Sequence, residues 1–255
     1  MSEEWFDVMV KQYNHCVALA KSNNKVVGMA TLMSGEAEGV GQLNIFVLPE
    51  HARQNIGLNL YRMLIQRTQN NYNELVAHTK RSVSSGLAFA KRLGFEKEKQ
   101  VYQLKINLNV YKKRKKCCFL ERVTKDNLNR YNKIIEENFN YTLDEYGLNQ
   151  MLKDSDVAIY LAYLGENAKT PVATFTQQVR NGNSAYVYDV AVCKKMQHKG
   201  YGTVVMNTCF LNLLKAKVST VELLVDKINV AALNFYKNLG FKQEDVLVQW
   251  RGRAN

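Results

Sequence analysis

Two prolines among 255 residues leave no room for a long proline-rich linker. No apolar run reaches the roughly 20 residues needed to cross a bilayer, and the acidic N-terminal segment lacks the hydrophobic stretch of a signal peptide. The five cysteines include no CxxC pair and no Cys/His cluster at zinc spacing. We therefore expect a cytoplasmic protein with reduced thiols, no membrane segment and no bound metal.

The chain also lacks the Walker A pattern GxxxxGK[ST] and the dinucleotide fingerprint GxGxxG. What it has in excess is positive charge, with 35 lysines and arginines against 23 acidic residues and a net charge of +12. Such a surface favours anionic partners, including phosphate esters, and disfavours a strongly basic substrate. Nucleic acid is also anionic, but no recognised nucleic-acid-binding motif accompanies the charge.

Two stretches of the chain resemble one another. The offset from Gly57 to Gly202 is 145 residues, and the offset from Gly94 to Gly240 is 146. Two anchor pairs at nearly the same offset indicate an internal duplication. We expect a first domain over residues 1–110, a basic linker over 111–116 and a second domain over 117–255.

The second copy divides by periodicity into alternating strands and helices. Strands are predicted over 117–123, 157–163, 172–179, 186–193, 218–225 and 241–250, and helices over 124–138, 143–152, 202–215 and 230–239. Thr124 is the expected N-cap of the first helix. The first copy repeats this order in abbreviated form, with a helix near 3–13 and strands near 16–20, 25–33, 42–48, 74–78 and 100–108.

Five consecutive basic residues, Lys112 to Lys116, lie between the copies. We interpret this run as a solvated linker. The alternative is a nuclear-localisation or anion-binding role, in which case the protein would also be nuclear.

One loop has the composition of an anion site. Gln197 to Gly202 is a polar segment between an apolar strand pattern and an amphipathic helix. Glycine lets the backbone turn tightly and approach a ligand without a Cβ in the way. The free N–H groups of the first helical turn, together with the helix dipole, favour an anion, and a pyrophosphate is the natural occupant.

A second motif follows in the next helix. Asn229 and Tyr236 are seven residues apart, or about two helical turns, so they lie on one helix face. The tyrosine phenol can donate a proton to a leaving group there. The alternative interpretation of Tyr236 is a core aromatic residue.

Together, Gln-x-x-Gly-x-Gly at 197–202 and Asn-x-x-Ala-x-x-x-Tyr-x-x-Leu-Gly-Phe at 229–241 resemble the GNAT family of N-acetyltransferases. The resemblance covers residues 117–250, and a weaker version covers 1–108. It implies the α/β (α+β) class with two tandem GNAT folds, each a central mixed, mostly antiparallel twisted sheet flanked by helices. It also implies acetyl-CoA, or another acyl-CoA, as co-substrate and a primary amine as acceptor.

The resemblance assigns roles to individual positions. Val190, Ala191 and Val192 match the splayed strand whose backbone pairs with the pantetheine arm of CoA. Asn229 matches the polar residue that steadies pantetheine, and Tyr236 matches the general acid that protonates the departing thiolate. The residues that match the pyrophosphate loop are Gln197, His198, Lys199, Gly200, Tyr201, Gly202 and Thr203.

The general base is the open question. The attacking amine must lose a proton, so the reaction needs a base or a water relay. At the strand position where some relatives carry a catalytic glutamate, this chain has Leu224. Asp189 and Glu222 are two equally ranked candidates, and each is also interpretable as a solvated or structural carboxylate.

The first copy departs from the motif where chemistry is expected. Ala52 and Asn55 occupy the positions of Gln197 and Gly200, and Val83 and Ala90 occupy those of Asn229 and Tyr236. We therefore expect the first half not to catalyse but to pack on the second half, form part of the amine site or bind a regulator. Because asparagine tolerates a left-handed backbone, CoA binding there stays open.

These observations predict a tandem N-acyltransferase that acetylates a small metabolite, an amino acid, or a peptide or protein amine. The basic surface favours a small or acidic acceptor among these. The first alternative is a non-catalytic acyl-CoA sensor, and the second is a nucleic-acid-binding protein. Whether the chain forms a homodimer is open.

Overall fold

The computed structural model describes residues 16–35, 37–68 and 71–254, so the helix predicted near 3–13 lies outside the described part. The described residues form two compact units. One contains the chain up to Val101 together with the chain from Asp245 onward, and the other is Tyr102–Glu244. The division predicted from the repeats, 1–110, 111–116 and 117–255, stays a prediction.

Strands and helices alternate through both units. In chain order, the strands are β1 Val17–Ser22, β2 Lys25–Ser34, β3 Val40–Val47, β4 Glu74–Lys80, β5 Glu96–Asn107, β6 Phe119–Arg122, β7 Val157–Tyr163, β8 Ala173–Arg180, β9 Ser184–Val192, β10 Thr220–Asp226 and β11 Lys242–Arg253. The helices are α1 Ile56–Arg67, α2 Ser84–Arg92, α3 Leu128–Phe139, α4 Glu145–Leu152, α5 Tyr201–Lys215 and α6 Val230–Leu239.

The first unit is a mixed sheet in the order β1-β2-β3-β4-β11. Its pairs are antiparallel except β3 with β4, which run parallel. Helix α1 buries Leu60, Tyr61 and Leu64. It packs so closely on β2 that a Cβ added at Gly28 would lie 3.0 Å from Ile56.

The second unit has a sheet in the order β5-β10-β9-β8-β7-β6. Strands β6 to β9 form successive antiparallel pairs, whereas β9 and β10 are parallel. The two units therefore exchange strand ends. The end of β5 (102–107), from the first half of the sequence, belongs to the second unit, and the end of β11 (245–253), from the second half, belongs to the first unit.

The sheet of the second unit is covered on both faces. Along β7, Ala158, Tyr160 and Ala162 join the core formed with α5 and α6. The intervening Ile159, Leu161 and Tyr163 join the core formed with α3. We call these two sides the α5 face and the α3 face. Burial on both faces explains why β7 is a continuous apolar run and does not alternate with polar residues.

The predicted strand 157–163 and helix 230–239 are confirmed with the same bounds. The predicted cap Thr124 is wrong, because α3 begins after Asn127. The Asn127 side chain accepts a hydrogen bond from the Thr124 amide at 2.8 Å and donates one to the Arg122 carbonyl at 3.0 Å. It thereby fixes a turn that delays the start of the helix.

The basic run has an ordered backbone. Asn207 of α5 is fully buried. It accepts a hydrogen bond from the Arg114 amide at 2.9 Å and donates to the carbonyls of Arg114 and Lys116 at 3.1 and 3.0 Å. The basic side chains of the run remain exposed, as expected of a solvated segment. Among the described residues, no helix combines the length and the apolar character needed to span a membrane.

Replacing Gly252 by alanine tests the packing of the first unit. A Cβ there would overlap the buried ring of Phe95, lying 2.7 Å from Cε1 and 2.8 Å from Cγ. We expect the Gly252→Ala variant to lose about 1–3 kcal/mol of unfolding free energy in urea titrations. Gly165→Ala is the control, because no atom lies within 4 Å of its added Cβ. Equal stability of the two variants would contradict this packing.

Candidate active site

Strand β9 contains a bulge. Thr174 of β8 pairs with Ala191 and Thr176 pairs with Tyr188, so the single residue between them on β8 faces both Asp189 and Val190. Asp189 has a φ of +50°, in the left-handed region. One extra residue in one strand of an antiparallel pair is the definition of a β-bulge.

The bulge reverses the alternation of β9. Before it, Val187 packs into the core of the α5 face, and after it Val190 does so, while Ala191 packs on the α3 face. A regular strand would place residues 187 and 190 on opposite faces. The extra residue therefore puts Tyr188 and Asp189 side by side on the α3 face.

The same strand separates from its parallel neighbour. Strands β9 and β10 pair only from Ser184 to Tyr186 and from Thr220 to Glu222. Within the described register, β9 from Val187 onward has no partner on its β10 side. This leaves backbone groups available to an extended, amide-bearing ligand at Val190 and Ala191, two of the three positions where a splayed strand was predicted. At the third, Val192, the carbonyl already accepts side-chain hydrogen bonds.

The loop before α5 has the backbone that the glycine motif predicted. His198 and Gly200 have φ values of +60° and +81°. Gly200 is the N-cap of α5 and supplies no side-chain cap. The N–H groups of Tyr201 and Gly202 therefore have no acceptor among the described residues, whereas the Thr203 N–H donates to the Gly200 carbonyl at 3.1 Å. Such a helix terminus stabilises an anion.

Gly202 is required for a different reason. A Cβ at this position would lie 3.2 Å from the ring of Phe235 in α6 and 3.8 Å from Val192. The glycine therefore permits the close approach of α5 and α6 beside the end of β9.

Gln197 positions this loop rather than pointing at an anion. Its amide nitrogen donates to Asn138 Oδ1 at 3.0 Å and to the Val192 carbonyl at 3.1 Å. Asn138, at the end of α3, also donates to the carbonyls of Ile134 and Val192, at 2.8 and 3.4 Å. Sequence reasoning missed Asn138, because nothing in its local pattern indicates a contact 59 residues away. Lys199 bonds the Lys195 carbonyl at 2.9 Å.

Tyr236 lies within α6, buried against the rings of Phe235 and Phe241 at 5.1 and 5.4 Å. Burial, with a smaller effect from Cys209, raises the pKa of its phenol well above the usual value. The phenol is therefore protonated throughout the neutral range, as a proton donor must be. This position agrees with both interpretations of Tyr236 from the sequence, a core aromatic residue and a protonated donor.

Asn229 is the N-cap of α6. Its side-chain oxygen accepts a hydrogen bond from the Ala232 amide at 3.1 Å. The oxygen is thus engaged in helix capping, and any contact with a ligand has to come from the amide nitrogen.

The two candidate bases have different surroundings. Lys105 Nζ lies 3.4 Å from one carboxylate oxygen of Glu222, and Gln103 donates to the other at 3.2 Å. Burial raises the pKa of the Asp189 carboxyl, and the neighbouring hydroxyls of Tyr141 and Tyr131 oppose that rise. Glu222 therefore has a cationic neighbour, whereas Asp189 forms no ion pair among the described residues.

The first unit keeps the loop shape without the phenol. Arg53 and Asn55 have φ values of +61° and +60°, the same spacing of left-handed residues as in the second unit. Asn55 Oδ1 accepts a hydrogen bond from Arg92 Nη1 at 3.3 Å. Val83 precedes α2 and Ala90 is buried within it, at the positions that correspond to Asn229 and Tyr236.

No group of three or more His, Cys, Asp or Glu side chains suited to a metal ion occurs in the part of the chain that the structure describes.

The sequence matches the Acetyltransferase (GNAT) family over residues 1–95 and 120–241, one segment in each copy. No curated protein matches the chain. Its fold resembles that of several solved structures at low sequence identity. A tandem GNAT protein from the clavulanic acid biosynthesis pathway is 16% identical with a TM-score of 0.74, and the match covers 94% of this chain and 84% of that one.

Two further structures show the same likeness. A GCN5-related N-acetyltransferase from Sphaerobacter thermophilus is 14% identical with a TM-score of 0.76, covering 98% of this chain and 85% of the other. A GNAT-family acetyltransferase from Colwellia psychrerythraea is 13% identical with a TM-score of 0.66, covering 95% and 89%. At these identities the likeness establishes the fold, and the predicted mixed α/β class with two GNAT-type copies is confirmed.

Asp189 should lower stability when it is ionised. Its pKa is raised in the folded protein, so unfolding becomes easier as pH rises from the ordinary aspartate pKa of about 3.9 through the raised value. We expect Asp189→Asn to melt at a higher temperature than the parent protein at pH 7, with the difference vanishing below pH ~3.5. Asparagine tolerates the left-handed backbone, so no strain is added. A lower melting temperature for Asp189→Asn at pH 7 would contradict the assigned burial.

Proposed function

The chain belongs to the acetyltransferase (GNAT) family, and from this we propose that its second unit transfers an acetyl group from acetyl-CoA to a primary amine. The observation that carries the proposal is the combination, within one unit, of an unpaired β9 edge and an uncapped N-terminus of α5. The buried phenol of Tyr236 completes the set on the adjoining helix. We propose that this reaction occurs in the cytoplasm.

The proposed donor, acetyl-CoA or another acyl-CoA, suits the two backbone features. Its diphosphate is an anion for the unpaired amides within the segment 197–203 at the start of α5, those of Tyr201 and Gly202 first. Its pantetheine arm carries amides that can hydrogen-bond the edge of β9 at residues 190–192 as an added strand would. Asn229 can assist through its amide nitrogen.

The proposed reaction is direct attack, with Asp189 as base and Tyr236 as acid. Asp189 accepts one proton from the ammonium form of the acceptor, and the nitrogen then forms a bond to the thioester carbon. The C–S bond breaks, and Tyr236 protonates the departing thiolate. The second proton lost by the nitrogen restores the phenol, so one proton is released to solvent for each amide formed.

The first unit is proposed to be non-catalytic. Ala90 stands at the position of the proposed acid, and an alanine side chain has no proton to donate. Its retained loop geometry supports a binding or structural role instead. The whole chain would then have one catalytic unit and one supporting unit.

Tyr236→Phe tests the proton donor. The ring and its packing are retained while the hydroxyl is removed, so we expect kcat to fall about 10²-fold in a thiol-release assay with little change in CoA affinity. Tyr146→Phe is the control, since Tyr146 is 71% exposed on α4. Unchanged kcat at every pH would reject the acid role of Tyr236.

Thr203→Glu tests the anion site. A carboxylate in the first turn of α5 is favourable to the helix dipole, so stability should be kept or raised. The same charge competes with a diphosphate, and we expect CoA to bind at least tenfold more weakly in calorimetry. Thr203→Gln has a similar shape without the charge and should bind CoA nearly normally. Equal CoA affinity in the Glu and Gln variants would place the diphosphate elsewhere.

A further inference from the structure

Several tyrosine side chains lie around Asp189 on the α3 face of the second unit. The bulge turns Tyr188 and Asp189 to this face, and α3 and the chain just after it bring two more tyrosines. We call this group the tyrosine cluster, and its members are Tyr131, Tyr141, Tyr186, Tyr188 and Asp189. The rings of Tyr186 and Tyr188 stack at 5.6 Å, and Tyr141 stacks on Phe139 at 6.4 Å.

Two fully buried hydroxyls, those of Tyr131 and Thr176, lie next to one another at the cluster. Neither makes a hydrogen bond of good geometry with a protein group. Tyr141, Thr176 and Asp189 nevertheless lie close enough to the Tyr131 phenol to influence its pKa. Buried polar groups with poorly formed hydrogen bonds lower stability, and here they are concentrated around Asp189.

The charge at the cluster is also uncompensated. Among the described residues, no lysine or arginine forms an ion pair with Asp189. The other charged groups acting on the cluster are Asp154, which faces Tyr188, and Arg180. Arg180 lies 4.6 Å from the ring centre of Tyr186 and donates two hydrogen bonds to Gln178. A partly buried carboxylate without a cation calls for a cation from outside.

We propose that the tyrosine cluster is the acceptor site and that it selects a cationic primary amine with no carboxylate on the adjacent carbon. This inference rests on the proposed acetyl transfer and names its substrate class. An alkylamine, an arylalkylamine or a lysine side chain fits this description, whereas an α-amino acid does not.

The chemistry of the cluster gives the reason. The ammonium group pairs with Asp189, and tyrosine rings attract a cation through their faces. A carboxylate one carbon from the nitrogen would lie beside Asp189, where two like charges repel in a partly buried site.

The bulge also connects this site with the proposed thioester position. Asp189 and Val190 are consecutive, yet Asp189 faces the α3 side and Val190 packs toward the α5 side. An amine held at Asp189 is therefore next to the strand edge along which the acyl donor is proposed to lie.

Binding without an acyl donor tests the inference independently of turnover. We propose calorimetry of the whole chain with phenethylamine, phenylalanine and 2-phenylethanol, which share one body and differ in the head group. Butylamine, norvaline and 1-butanol repeat the comparison with an aliphatic body. Each amine is expected to bind at least tenfold more tightly than its carboxylated and its neutral counterpart.

Variants locate the binding. Asp189→Asn should reduce amine affinity to that of the neutral alcohol, whereas Glu166→Gln, in the exposed turn between β7 and β8, should leave it unchanged. Tyr141→Leu should weaken amine binding about threefold while Tyr141→Phe should not, since the phenyl ring preserves the cation–π contact.

The outcomes separate the two proposals. Tighter binding of phenylalanine and norvaline than of the amines would overturn the substrate class and would assign Arg180 to their carboxylates. Failure of both amines to bind, or unchanged affinity in Asp189→Asn, would overturn the site. Selective amine binding without CoA release from any acceptor would leave the cation site standing and reject the proposed transfer.

Discussion

The single extra residue in β9 is the constraint on which the second unit depends. A regular strand assigns alternate residues to opposite faces, and a one-residue insertion exchanges the faces for everything that follows. Here the insertion at Asp189 keeps apolar side chains in the α5 core on both sides of the bulge. It also leaves a carboxylate facing α3, three residues after the pairing of β9 with β10 ends at Tyr186. The unpaired strand edge proposed for the acyl donor and the carboxylate proposed for the amine are therefore neighbours along one strand.

The features of the proposed site are costly to the fold. Asp189 has a left-handed backbone and a partly buried carboxyl, and the buried hydroxyls of Tyr131 and Thr176 make no hydrogen bond of good geometry. Each feature works against stability in the free protein. Their concentration around one strand position is what distinguishes a functional surface from a well-satisfied core.

The two copies share a backbone conformation but differ in a side chain that the proposed reaction requires. The loop before α1 repeats the left-handed residues of the loop before α5, with Asn55 in place of Gly200. Asparagine and glycine are the residues that adopt this conformation most readily, so the turn survives the exchange. Ala90, by contrast, retains the helix but not the phenol. The backbone of a GNAT-type unit is thus preserved where a side chain required for the proposed reaction is absent.

The sequence by itself determined the features that depend on local pattern. The apolar run of β7 and the helix that carries Tyr236 follow from periodicity, and the loop at Gly200 follows from glycine's access to positive φ. Only the tertiary structure decided what depends on distant partners. Lys105 lies beside the carboxylate of Glu222 and not beside that of Asp189. Asn138 hydrogen-bonds the end of β9 from α3. The end of β5 belongs to the second unit, and the end of β11 belongs to the first. These contacts link residues tens to more than a hundred positions apart, and periodicity within a short window contains no information about such pairings.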